Sequence, residues 1–376
     1  MVTTRTLPAA ILLVVLSSLS QAQATATLTP ATPQLDFSGS VFGNYRYQFD
    51  SASKAPLGGK APNKFDIERV YLTFRMPAGQ NGAIRVTTDV LNTTNGGYYS
   101  GWTARLKYAY FQYTFNKYFL GRVGMLHTVV IDHEEGFWPR WIAKTSIENA
   151  GFFSSADVGV AALATLPNKH GELYATITNG PGYTSLETDR FKDFAARFSW
   201  TPFGNDSGIV RTFTVTPWFY KGSNGSSVPA VYTDPLAKNR YGVFAGLKDR
   251  RLTGGVEWAQ RSDDAESITR DSLGVITARS VASKTGRLID AFGVVRPMEW
   301  ADASKKSPFG VVARYDIFKP NTAVNPENKS LVFGAFWDLT ARASFSLDYQ
   351  ATSFSGYPNP QPPTTKTIFA HWTASF

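Results

Sequence analysis

The chain has 376 residues, no cysteine, 14% aromatic residues and a formal charge of +9 at pH 7. Without Cys, neither a disulfide framework nor a thiolate metal site is possible. Past the amino terminus no stretch approaches ~18 uninterrupted apolar residues, so helical membrane spans are excluded. At the amino terminus Arg5 supplies a positive n-region, residues 7–16 an apolar h-region and Ala22-Gln23-Ala24 a small-x-small cleavage site. An apolar run this short cannot cross a ~30 Å hydrocarbon core as a helix. The pattern predicts a signal peptide over residues 1–24, a flexible Ala/Thr/Pro-rich leader over 25–34 and one domain over 35–376. An exported protein seldom meets nucleic acid, so the basic balance argues for attraction of anionic solutes.

From residue 35 onward the chain alternates. Leu35, Phe37, Val41, Tyr45, Tyr47 and Phe49 fall on one face, with Ser38, Ser40, Asn44, Arg46 and Gln48 on the other. A period of two with one apolar and one polar face marks a strand between two environments. Such segments of about ten residues recur near 35–49, 65–76, 83–92, 104–115, 119–128, 155–166, 171–179 and 190–201. They continue near 209–220, 240–248, 252–261, 286–296, 308–318, 329–339, 343–354 and 367–376. Within 104–115 both faces carry aromatics, and neither can be chosen as the apolar one.

The connections sort by length. Links 77–82, 116–118, 167–170 and 249–251 are tight, whereas 50–64, 93–103, 129–154, 180–189, 221–239, 262–285, 319–328 and 355–366 are longer. Link 297–307 departs from this rule. About sixteen strands with long and short links in alternation predict an all-β fold, a transmembrane antiparallel β-barrel, with short turns in the periplasm. The last strand ends on Trp372, Ala374 and Phe376, so it should close against the first. The terminal Phe376, with Trp372, resembles the C-terminal signature by which the outer-membrane assembly machinery recognises its clients, and the two are the expected assembly signal.

The longest link, 129–154, is the third external one. It combines Asp132, Glu134 and Glu135 with Trp138, Arg140 and Lys144. Its aromatics suit anchoring on an inner wall and its charges suit a constriction with a local field. A solvated external loop is the alternative. A calcium site at Asp132, His133, Glu134 and Glu135 lacks any fixed ligand spacing, so no metal is assigned. Charge on a lipid face costs about 2–4 kcal/mol at the midplane, so mid-strand bases should point inward. That rule assigns Arg69, Tyr71, Arg75, Arg85, Asp89, Arg197, Arg314 and Asp316 to the lumen, and adds Arg105, Lys107 and Arg122 on less certain faces.

The runs 65–72 (FDIERVYL), 119–125 (FLGRVGM), 154–159 (SSADVG) and the closing FGAFWDL and FSLDYQ resemble the phosphate-selective porin O and P family. The resemblance implies a sixteen-stranded, trimeric porin in the outer membrane of a Gram-negative-type bacterium. The function expected is passive diffusion of small hydrophilic solutes with an anion preference. A surface-binding or adhesive barrel with a blocked lumen is one alternative. An outer-membrane hydrolase is the other, but the four His lack a GxSxG elbow, so no catalytic residue is assigned. No cofactor is implied.

Overall fold

The computed structural model describes residues 34–93, 101–228, 234–302 and 304–376. The expected signal peptide and nearly all of the leader lie outside the described residues. Sixteen antiparallel strands close into one barrel. They are β1 (Asp36–Gln48), β2 (Asn63–Pro77), β3 (Gly82–Thr93), β4 (Gly101–Asn116), β5 (Phe119–His127), β6 (Ala156–Thr165), β7 (Gly171–Thr178) and β8 (Asp193–Trp200). The second half comprises β9 (Thr214–Asn224), β10 (Leu236–Lys248), β11 (Leu252–Arg270), β12 (Ile276–Val295), β13 (Phe309–Lys319), β14 (Glu327–Thr340), β15 (Ala343–Ser355) and β16 (Thr365–Ser375). Each strand pairs with its neighbours in sequence, and β1 pairs with β16.

The seam between β1 and β16 follows from the pattern at the two ends of the domain. Val41 lies opposite Ala374, Tyr45 opposite Ala370 and Tyr47 opposite Ile368. Gly39 and Phe376 exchange two backbone hydrogen bonds of 3.0 Å. The Phe376 ring lies over Gly39 and the Trp372 ring over Gly43, each filling the space a side chain would take. Closure removes the open edge that a final apolar strand would otherwise present.

Three differences from the sequence expectation have physical causes. The expected external link 262–285 is mostly strand: β11 and β12 run on as a hairpin to a turn at 271–275. Both faces of this extension are polar, so it carries no apolar alternation to read. Residues 209–212 form a 3₁₀ turn, and β9 begins only at Thr214. In β4 a bulge pairs Thr87 with Tyr108 but Thr88 with Leu106, leaving Lys107 extra. Lys107 and Tyr108 therefore both point inward, each 4% exposed. A bulge switches the face on which the pattern runs, and this one is why the sequence offered no choice of face there.

The strands flanking the third external link are short. β5 has 9 residues and β6 has 10, against 16 in β4. The chain leaves the wall early on both sides, so the long link starts and ends inside the barrel. Short helices punctuate the links: α1 (Ser51–Lys54), α2 (Ile131–Glu134), α3 (Ser146–Asn149) and α4 (Pro297–Ala301). The last occupies the long periplasmic turn that broke the length rule.

Candidate pore constriction

The root of the 129–154 loop is clamped by Thr128, whose hydroxyl donates to the Ser154 carbonyl at 2.6 Å. Thr145 caps α3 by accepting from the Glu148 amide at 3.4 Å, which satisfies an otherwise free helix N–H. The loop then lies across the lumen on the wall made by the second half of the chain. Phe137 meets Phe244 at 5.1 Å, Trp138 meets Phe292 at 5.4 Å and Phe153 meets Trp218 at 5.2 Å between ring centroids. Trp138 and Ile142 are each 2% exposed and pack on Val312 and Val332. Polar pins hold its backbone. Gln350 donates to the Ile142 carbonyl at 3.1 Å, Arg261 to the Ala150 carbonyl at 3.0 Å, and Arg314 and Arg240 to the carbonyls of Lys144 and Phe152.

Beneath the loop lies a row of acids. Glu257 on β11 faces Asp290 on β12, and Asp290 faces Asp316 on β13. Glu134 of α2 comes down onto this row and is 3% exposed. Arg314 pairs with Asp316 at 3.2 Å, Ser146 donates to Asp316 at 2.9 Å, and Trp218 donates to Glu257 at 3.1 Å. Burial, with Glu257 and Asp290 adding to it, pushes the Glu134 carboxyl well above its ordinary range. Arg314 and Asp316 do point into the barrel as the alternation required. They hold the loop, however, and are not on an open wall.

The opposite wall carries bases on a tyrosine scaffold. Arg85 stacks on Tyr108 at 4.6 Å and contacts His127 at 3.1 Å. Lys107 lies 4.4 Å from the centre of the Tyr71 ring and donates to its hydroxyl at 3.3 Å. Arg122 donates to Gln112 at 2.9 Å and lies over Tyr110 and Tyr174. Arg105 stands opposite Asp89 in register. Among the described residues none of Arg85, Arg105, Lys107 and Arg122 has a carboxylate oxygen within 4.0 Å. Arg69 is different, because it is paired with Asp89. Arg197 pairs with Glu172 at 2.5 Å, and Arg75 stands 3.6 Å from Asp36 at the periplasmic end.

Of the six residues singled out on the loop, four face the gap. Asp132 stands 3.5 Å from His127, Arg140 binds Glu135 at 3.1 Å and Glu148 at 3.2 Å, and Lys144 lies 3.7 Å from Glu148. Glu134 and Trp138 turn the other way, into the wall. The four consecutive residues considered for calcium also diverge, since His133 is 3.0 Å from Thr216 on the wall. Among the described residues no group of three or more His, Cys, Asp or Glu is arranged to hold a metal. A second loop enters as well: Tyr183 donates to Asp89 at 2.9 Å and is 3.4 Å from Arg69. Sequence reading missed Tyr183, Glu257, Asp290 and His127. On β11 Glu257 is 3% exposed, and only the loop's path shows what covers it.

No family model matches the chain, and no curated protein does. Solved structures do. An anion-selective porin from Comamonas acidovorans superposes with a TM-score of 0.63 at 8% identity, over 92% of this chain and 100% of that one. This is the fold of the outer-membrane porins. The outer-membrane channel DcaP of Acinetobacter baumannii gives 0.62 at 12% identity, over 93% and 99%. OmpT, an outer-membrane protein of Vibrio cholerae solved in a trimer form, gives 0.58 at 9% identity, over 92% and 100%. At these identities the likeness is one of fold.

Proposed function

We propose that the protein is an outer-membrane porin through which small hydrophilic solutes diffuse passively, with a preference for anions. One observation carries the reading. The loop covers the acid-rich wall and leaves facing the gap Arg85, Arg105, Lys107 and Arg122 on β3, β4 and β5, which have no carboxylate within 4.0 Å among the described residues and outnumber the loop's own Asp132 and Glu135 across from them. Unbalanced charge along a narrow path between low-dielectric walls raises the local concentration of the opposite ion. The sixteen-strand closed barrel supports the outer-membrane location, because a closed barrel satisfies every backbone group in lipid.

Two finer readings belong with it. The trimer form of the V. cholerae neighbour supports a homotrimer. Trp372 and Phe376, outward on the last strand, are the surface offered to assembly factors and then to lipid. Reversal potentials of the reconstituted protein in planar bilayers under a salt gradient test the central claim. A shift toward the anion potential is expected, and cation preference would sink it. Adding phosphate to the chloride bath tests the resemblance to phosphate-selective porins: a selective site blocks chloride current at low phosphate, whereas a general anion path does not.

A further inference from the structure

On the lipid side of β12, β13 and β14, three apolar rows each end on a base at the external rim. Val295, Gly293, Ala291 and Ile289 lead up to Arg287; Phe309, Val311, Ala313, Tyr315 and Ile317 lead to Lys319; Leu339, Trp337, Ala335, Phe333 and Leu331 lead to Lys329. All three bases face outward, since their neighbours Leu288, Phe318 and Ser330 face the lumen. Arg287 and Lys319 stand directly opposite each other in register. Like charges in that position destabilise a strand pair unless an anion lies between them. Among the described residues one carboxylate, Glu327, serves this patch, at 3.5 Å from Lys319 and 2.9 Å from Lys329. Among the described residues Arg287 has no carboxylate within 4.0 Å.

Directly below, the same face is hollowed. Small side chains leave an apolar groove of about 490 Å³, lined by Ala245, Gly254, Ala291, Gly293, Ala313 and Tyr315. A side chain added at Gly293 would meet nothing within 4 Å. Ala291 and Tyr315 lie four residues below Arg287 and Lys319. At ~3.4 Å per residue that is about 14 Å, close to half the ~30 Å hydrocarbon thickness. The bases thus sit at headgroup level and the groove at acyl-chain level.

We infer that this face holds one lipid whose headgroup carries phosphate, with the phosphate between Arg287, Lys319 and Lys329 and a chain in the groove beneath. The inference rests on the outer-membrane reading but not on conduction or ion preference. Bases close to a membrane surface attract anionic headgroups, and the groove gives a chain a fixed place beneath them.

Native mass spectrometry of the full chain in detergent, titrated with diphosphoryl and monophosphoryl lipid A, tests it. The diphosphoryl form should bind about tenfold tighter. In the triple variant R287Q/K319Q/K329Q that difference should vanish. Gly293→Leu, which fills the groove without a clash, should weaken both lipids alike. Equal affinity of the unaltered protein for the two lipids would overturn the inference, and needs no variant to fold. So would competition by millimolar inorganic phosphate that displaces the lipid fully, since the chain would then add nothing. A copy of the same protein cross-linking efficiently through Ala313→Cys would show that a subunit, not a lipid, covers the groove. Channel current is measured alongside: its absence with lipid binding intact would count against the porin reading and leave this one standing.

Discussion

Glu257 and Asp290 face each other directly across β11 and β12, with a third carboxylate, Asp316, next in the same row. Three acids abreast on adjacent strands, with Glu134 lowered onto them and Arg314 as the base beside them, form an arrangement that costs energy when fully ionised. The loop therefore docks onto a surface crowded with carboxylates.

The pH dependence follows from Glu134. Its carboxyl titrates well above 4.5 in the folded state because burial and the neighbouring acids penalise the charged form. A raised acid favours folding below its unfolded pKa and loses that contribution as pH rises toward its folded pKa. Docking should weaken on the alkaline side. Protease cleavage within 129–154 should speed up between pH 5 and pH 9, and Glu134→Gln should flatten that dependence. An unchanged slope in the variant would remove Glu134 from the explanation.

The bases on the other wall make a prediction about current. Replacing Arg85, Lys107 and Arg122 together by Gln should move the reversal potential toward zero or past it and leave the barrel's heat-modifiable migration intact. Bases already paired should matter less. Arg197→Gln, which breaks the pair with Glu172, should shift the potential by well under half as much, because it removes a charge that was locally balanced.

Trp138 is the apolar anchor of the loop. Trp138→Ala should cost about 3–5 kcal/mol of docking, the usual range for emptying a buried aromatic site. Single channels should then show larger and noisier openings, with the strand signal in circular dichroism unchanged. Quiet channels of normal size would show that the polar pins alone suffice.

At the seam, the rings of Trp372 in β16 and of Phe376 just after it lie over two glycines of β1. A Cβ at Gly43 would come within 2.4 Å of the Trp372 indole. Gly43→Val should displace that ring and lower the yield of folded barrel without altering conductance in the molecules that do fold. Phe376→Ala should reduce insertion in cells more than refolding in detergent, if the terminal ring is read by assembly factors as well as packed on Phe37 at 5.6 Å. Equal losses in both settings would leave packing as its whole role.

The architecture was largely legible because lipid outside and water inside impose a period of two on every strand. Residues such as Phe345, Leu347 and Tyr349 obey it without exception. Legibility failed where that contrast disappears. The β11–β12 extension has water on both sides, and the Lys107–Tyr108 bulge puts consecutive residues on one face. The inward direction of Arg314 and Asp316 was readable from their neighbours. Their burial was not, because it depends on a loop that starts almost 190 residues earlier in the chain and crosses the barrel to reach them. Tyr183 gave no signal at all, being one aromatic in a polar link.

As a proposed constriction, the loop at 129–154 would do more than narrow a passage. By resting on one wall it covers Glu257, Asp290 and Asp316, and it leaves Arg85, Lys107 and Arg122 across the gap from its own Asp132 and Glu135. On the proposed anion preference, selectivity is set by which charges the loop covers, more than by the protein's total charge. A loop that swung clear would widen the path and uncover Glu134, Glu257, Asp290 and Asp316 in the same movement. On that reading, moving the loop off its wall changes width and selectivity together.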